Sequence, residues 1–339
     1  MILEHKELKR SLKETMVFTG DHRIVALGGG TGLSVLLRGI KHYTSNITAI
    51  VTVADDGGGS GDIRDELGML PPGDIRNCIL ALANTEPIME KLMEYRFKEG
   101  KLKGQSFGNL LIAALNDICG SFDNAIGEIS NVLAVTGNVV PVTLDKVTLF
   151  GELEDGTIIK GESQIPIKQN NSNKKIKRVF LEPYNCKAMP EAIEAIKNAD
   201  AIILGPGSLY TSIIPNLIVK PIAWEIKKSK AIKIYISNIM TQQGETIGYN
   251  LYDHIRAINE HANHDIIQYV IANSGKIPEE MALHYLSENA RMVEIDEECL
   301  YRNGIELIKE DFICVDNDYI RHDYYKLSQC IFELINRSL

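Results

Sequence analysis

The sequence predicts an α/β protein: a three-layer α/β/α, Rossmann-like, doubly wound and mainly parallel sheet with an inserted antiparallel β hairpin region. Three observations predict it. Apolar, β-branched runs alternate with helical patterns along most of the chain. Glycine-rich turns follow the strands and lead into the helices. A stretch of period-two alternation interrupts that rhythm once, at 146–183.

Residues 24–27 read as a strand, 33–43 as a helix and 47–53 as a second strand. Helices are expected over 75–82, 88–97, 109–118 and 125–135. From about Lys146 the pattern changes. "KVTLFGELEDGTIIKGESQIPI" alternates around Asp155-Gly156, a dipeptide suited to a tight hairpin turn. "NNSNKK" reads as a polar loop, and "IKRVFLEP" closes the insertion. Alternation then resumes: helix 190–198, strand 201–204, helix 215–228, strand 231–237, helix 251–261, strand 266–272, helix 278–288 and strand 291–296. A strand near 312–315 and a helix from Tyr324 end the chain. One domain over 23–339 follows, with 146–183 as its β insertion and 1–22 as a charged, helix-prone N-terminal extension.

The 339 residues carry a formal charge of −9, and 45% of them are hydrophobic. An acidic balance argues against nucleic acid, which needs a basic face. No apolar run approaches the ~20 residues of a membrane span, and the start lacks a signal peptide's apolar segment. Six dispersed cysteines without a C-x-x-C pair suit reduced thiols. The expected location is the cytoplasm. The chain neither requires nor excludes a homo-oligomer.

In open α/β sheets ligands sit beyond the carboxyl ends of strands, where the strand order reverses. The first glycine cluster, Gly28-Gly29-Gly30-Thr31-Gly32, opens a helix after the first strand. Glycine lets the backbone approach a phosphate, and the helix start supplies free N–H groups. Thr31 and Ser34 add hydroxyls. The dinucleotide fingerprint fails at Leu33, and no P-loop lysine follows. A later cluster, Gly205-Pro206-Gly207-Ser208 followed by Tyr210-Thr211-Ser212, repeats the design. Two such loops suit a diphosphate better than a single phosphate.

Between them lie three more candidate segments. In "VTVADDGGGSGDIRDELG", Asp55 or Asp56 serves ligand or metal while the other caps a turn, and Gly57–Gly61 suit a mobile lid. In "PPGDIRNCILAL", Asp74 begins a helix; Arg76 is either a phosphate clamp or a partner of Asp74. In "GQSFGNLLIAAL", Ser106 and Asn109 cap a helix or touch the ligand. "SNIMTQQGETIGYN" is placed to line the far end of the pocket. The expected ligand-binding set is Gly29, Gly30, Thr31, Gly32, Asp55, Arg76, Asn109, Gly205, Gly207, Ser208 and Thr211. No metal-spaced Cys/His set and no G-x-S-x-G elbow occurs. His254 reads as a structural histidine rather than a base.

Together "GGGTGLSVLLRGIK", "VTVADDGG", "PPGDIRN", "SFGNLL" and "GPGSLYTSIIPNL" resemble the CofD-like superfamily, most closely its YvcK branch, the gluconeogenesis factors. The resemblance runs from about Arg23 to the C-terminus. It implies a nucleotide-containing ligand. In the YvcK branch this is a UDP-sugar such as UDP-N-acetylglucosamine, bound without a required cofactor by a regulator of cell-wall precursor synthesis and cell shape. Glucosamine-6-phosphate synthase is the implied partner. In the transferase branch a 2-phospholactyl group passes from a nucleoside-diphosphate donor to a deazaflavin, with magnesium (Mg2+). The acidic positions tied there to metal and catalysis match Asp56 and Asp74. Tyr285 matches a late aromatic position, placed to stack on a base or to pack in the core. Two departures stand out: Gly59 where the branch has serine, and Gln105 where it has histidine. Glutamine does not titrate, so the second departure leans toward binding over catalysis. A nicotinamide dehydrogenase is disfavoured by Leu33.

Overall fold

The structure, a computed structural model, describes residues 21–172, 174–316 and 319–339. The expected N-terminal extension lies outside the described residues except for its last two positions. In chain order, the first half holds β1 (Ile24–Gly28), α1 (Gly30–Ile40), β2 (Ile47–Val51), α2 (Gly58–Leu67), α3 (Gly73–Leu82), α4 (Pro87–Glu94), α5 (Phe107–Cys119), α6 (Phe122–Val132) and β3 (Asn138–Pro141). The insertion holds β4 (Thr148–Leu153), β5 (Ile158–Lys160), α7 (Gln164–Ser172) and β6 (Ile176–Glu182). Next come α8 (Pro190–Asn198), β7 (Ala201–Leu204), a π-helical turn (Leu209–Ile213), α9 (Ile214–Leu217), α10 (Ile222–Lys228), β8 (Ile232–Ile236), α11 (Leu251–Ala262) and β9 (Tyr269–Asn273). The chain ends with α12 (Glu279–Ser287), α13 (Glu297–Arg302), β10 (Glu306–Glu310), β11 (Ile313–Asp316), β12 (Tyr319–His322) and α14 (Tyr324–Ser338).

Seven strands form one parallel sheet in the order β10-β9-β8-β7-β1-β2-β3. Every residue of β1, β7 and β8 is buried, as expected of a parallel sheet covered on both faces. Helices supply the cover through apolar stripes. In α1, Leu33, Leu36, Leu37 and Ile40 fall on one face and are fully buried. The chain builds β1-β2-β3 outward in one direction. It then returns to add β7 on the other side of β1 and continues to β10. The reversal between β1 and β7 makes the crevice that holds ligands in such sheets.

The insertion is an antiparallel sheet, β5-β4-β6, separate from the main one. Its turn forms at Asp155-Gly156, where the Asp155 carboxylate accepts the Thr157 N–H at 3.0 Å. The polar stretch expected as a loop is partly helical, because α7 buries Ile165 and Gln169 against the insertion.

Other expectations are corrected. Residues 58–67 are helix α2, not a glycine lid. Tertiary ties override the glycine cost of roughly 1 kcal/mol per residue: Ser60 Oγ accepts the Gly73 N–H, and Arg64 donates to the Asp55 and Val147 carbonyls. The expected helix over 215–228 is broken into α9 and α10. The strand expected over 291–296 makes only isolated bridges, Met240 with Met292 and Asn250 with Glu294. The sheet edge is formed instead by β10, whose sequence "ELIKE" is too polar to stand out. Edge strand β3 also went unforeseen.

Candidate functional site

The turns after β1 and β7 lie side by side. A Cβ on Gly32 would fall 2.4 Å from the Pro206 carbonyl oxygen and 3.0 Å from the Gly207 Cα, so only glycine permits this approach. Gly30 has φ +62°, a conformation glycine adopts without strain. Asn216, fully buried, fastens the pair by donating to the Gly28 and Ser212 carbonyls at 3.0 and 2.8 Å. Helix α1 begins on Gly29 with no side-chain cap. The Asp74 carboxylate accepts the Gly30 N–H, while the dipole end and the following N–H groups of the first turn sit at the cleft floor.

That cleft has a volume of about 460 Å³. Its floor is Gly29–Gly32 with Gly207, Ser208 and Ser212; one wall is Asn238–Gln243. The roof is built by Tyr285 of α12 and by Tyr319–His322 of β12. These roof elements have a small apolar cluster of their own, Ile239, Tyr285, Ala290 and Ile320. The Tyr285 hydroxyl accepts the Ile320 N–H at 2.9 Å, tying helix to hairpin. Arg321 is the only lysine or arginine among the described residues of the lining, and its guanidinium lies 5.2 Å from the Tyr319 ring centroid. Burial pushes the neighbouring His322 down to about 4, so it is neutral near pH 7.

A second cavity, about 510 Å³, opens beyond the glycine turn, between α2, α3 and α5. Asp55, Asp62, Asp74, Arg76, Asn77, Arg96 and Asn109 line it. Asp74 lies between that cavity and the glycine turn: a Cβ on Gly29 would lie 2.6 Å from Asp74 Oδ2 and 2.7 Å from Thr52 Cγ2. Burial, then the charge of Asp55, pushes Asp74 up to about 7, against the opposing pull of the Gly30 N–H and Arg76. Burial also raises Asp55, although it accepts the Gly57 N–H and the Ser60 hydroxyl. Glu162, at the edge of the insertion, is pushed up to about 8 by burial and then by Asp55.

The structure thus divides the expected ligand residues. Gly29, Gly30, Thr31, Gly32, Gly207, Ser208 and Tyr285 line the first cleft. Asp55, Asp74, Arg76 and Asn109 line the second cavity. Arg76 hydrogen-bonds neutral groups rather than Asp74: Ser106 and Asn109 at 2.6 Å each, and Asn77 at 2.9 Å. Ser106 does cap α5, accepting the Asn109 N–H. Asp56 lines neither space. Its two oxygens accept the Glu162 and Ser163 N–H groups, fastening the insertion. Among the described residues no group of three or more His, Cys, Asp or Glu is arranged to hold a metal. Thr211 turns inward to Glu245, and Ser212 takes its place in the cleft lining. The Ser34 hydroxyl is spent on the Thr31 carbonyl. Gly205 shapes the turn from behind. His254 is a buried core residue bonded to the Asn250 carbonyl, and burial holds it neutral. The two departures from the family pattern meet: a Cβ on Gly59 would lie 2.8 Å from Gln105 Oε1.

Sequence reasoning missed Asn216, Glu245 and Arg321. Glu245 is 1% exposed and has no cationic partner among the described residues. It accepts the Tyr210 N–H at 2.8 Å and the Thr211 hydroxyl at 2.7 Å, so it holds the second glycine turn from below. Its signal was present in "TQQGET", where an acid sits among amides. Arg321 lies far from any glycine motif, and only the hairpin's fold-back carries it to the cleft.

The family model of 2-phospho-L-lactate transferase CofD matches residues 24–313. A gluconeogenesis factor from Bacillus subtilis is 48% identical over 314 residues, 92% of this chain and 98% of that protein. One from Halalkalibacterium halodurans is 48% identical over 311 residues, covering 91% and 95%. The crystal structure of a UPF0052 family member from Bacillus halodurans superposes with a TM-score of 0.88 at 48% identity, covering 91% of this chain and 99% of that one.

Proposed function

Since the chain belongs to the CofD family, we propose that it binds a nucleotide sugar of the UDP-N-acetylglucosamine type in the cleft between β1 and β7. In this reading it acts in the cytoplasm as a regulator, joining carbon supply under gluconeogenic growth to the synthesis of cell-wall precursors and to cell shape. The observation that carries the reading is the abutting pair of glycine turns beneath Arg321. A helix start flanked by glycine and one guanidinium are what a diphosphate needs, and no cofactor is called for. Tyr285 and Tyr319 offer aromatic surface on the roof for a base. Glucosamine-6-phosphate synthase is the proposed partner enzyme, and the gluconeogenesis names of the relatives agree with that metabolic role. Calorimetry with UDP-N-acetylglucosamine tests the reading: micromolar binding is expected, and no heat at millimolar ligand would defeat it.

The ligand affinity should depend on pH. Asp74 sits directly behind the Gly29–Gly30 backbone and titrates at about 7. Above that value its negative charge opposes a diphosphate. Affinity is expected to fall as pH rises from 6 to 8, by at most about tenfold per unit for one proton. Asp74→Asn should flatten the profile, and an unchanged slope in that variant would count against the assignment. Because the folded value is raised, the stability linked to Asp74 is fully present below the ordinary carboxylate range and is lost as pH rises through about 7.

The carboxylates of the second cavity motivate a second reading, a magnesium-dependent 2-phospholactate transferase. The expected pair Asp56 and Asp74 does not fit such a metal as it stands, because Asp56 is fully engaged with the insertion. A missing product with a guanosine donor, a deazaflavin acceptor and magnesium would remove this reading.

A further inference from the structure

We propose that the second cavity receives the sugar arm of the nucleotide ligand, with Asp62, Asn77 and Arg96 reading its hydroxyl groups. The proposal rests on the nucleotide-sugar reading above. Its first support is position. The cavity adjoins the Gly29–Gly30 backbone through the Asp74 carboxylate, which lines it. A group attached to a diphosphate on that backbone has this cavity as its neighbouring space.

The second support is the chemistry of the lining. A bare cation site would exclude guanidinium groups, and a bare anion site would exclude carboxylates. Here carboxylates, guanidinium groups and carboxamides are interleaved around one space. Each sugar hydroxyl both donates and accepts, so a polyhydroxylated neutral group satisfies such a mixed lining.

The third support is the donors and acceptors left over. Arg76 is 6% exposed, lines the cavity, and hydrogen-bonds only neutral groups, with no carboxylate in ion-pair contact among the described residues. A buried guanidinium in that condition points to a ligand that supplies acceptors. Asp62 accepts from Gln105 Nε2 at 3.0 Å through Oδ2, leaving Oδ1 for another donor. Asn77 accepts from Arg76 through Oδ1, leaving its amino group. Arg96 donates one N–H to the Gly104 carbonyl and stands exposed at the rim.

The experiment compares UDP with UDP-N-acetylglucosamine by calorimetry on the full chain and on Asp62→Ala and Arg96→Ala. Both positions are exposed, so the fold should survive, and an unchanged thermal midpoint checks this. The expected result is that wild type prefers the sugar nucleotide by about tenfold or more. Each variant should lose roughly threefold to tenfold of that preference while binding UDP as before. If both variants keep the full preference, or if wild type shows none, the sugar lies elsewhere and the proposal is overturned. If wild type binds neither compound, the nucleotide reading itself fails and takes this proposal with it.

Discussion

Gly32→Ala should abolish nucleotide binding while leaving a folded, less stable protein. The added methyl would stand 2.4 Å from the Pro206 carbonyl oxygen and 2.7 Å from its carbonyl carbon. Both contacts are backbone, so no side chain can swing away. The two turns must part, and overpacking of this kind costs about 1–3 kcal/mol of stability. The functional loss is larger than the stability loss. If the turns jointly hold one diphosphate, separating them removes charge-assisted N–H bonds worth about 1.5–3 kcal/mol each, so two lost bonds weaken binding about a hundredfold or more. Calorimetry for affinity and a denaturant titration for stability separate the two effects. Wild-type affinity in the variant would refute the shared site.

Glu245→Gln should destabilise the protein by about 1–3 kcal/mol although it changes no volume. The carboxylate accepts the Tyr210 N–H, the Thr211 hydroxyl and, at 3.5 Å, the Gln242 amide. A carboxamide has one acceptor oxygen and turns a donor toward one of them, leaving a buried polar group unpaired. Burial raises the Glu245 pKa, which shows the charge itself to be costly there. The accepted hydrogen bonds offset that cost. Because Glu245 supports the turn that carries Ser208 and Ser212, ligand affinity should fall together with the thermal midpoint. A variant as stable as wild type would show that the carboxylate is replaceable by any polar group of its shape.

The two glycine turns were legible because their chemistry is local. Glycine before a helix start has few uses, and "GGGTG" and "GPGS" each follow an apolar run. The central strands were legible for a similar reason. "IVALG" and "AIIL" are buried on both faces and carry almost nothing else. The edges were not. Strand β10, "ELIKE", is half exposed, and its pattern does not distinguish strand from loop. Helix α2 was read as a loop because three glycines open it. Its formation depends on Ser60, Arg64 and Ile63 meeting partners from elsewhere in the chain.

The side-chain roles divide along the same line. Types and spacing in the sequence alone determined a doubly wound parallel sheet, an inserted antiparallel sheet and two glycine turns after strands. Periodicity, glycine content and β-branching are properties of neighbouring residues, and these features follow from them. Tertiary structure alone decided that Asp56 fastens the insertion while Asp55 and Asp74 face a cavity. It alone turned Thr211 toward Glu245 and brought Arg321 over the cleft. The reason is range. Adjacent residues such as Asp55 and Asp56 carry the same chemistry, and partners about a hundred positions away (Glu162 and Ser163 for Asp56) decide which of them is free to meet a ligand.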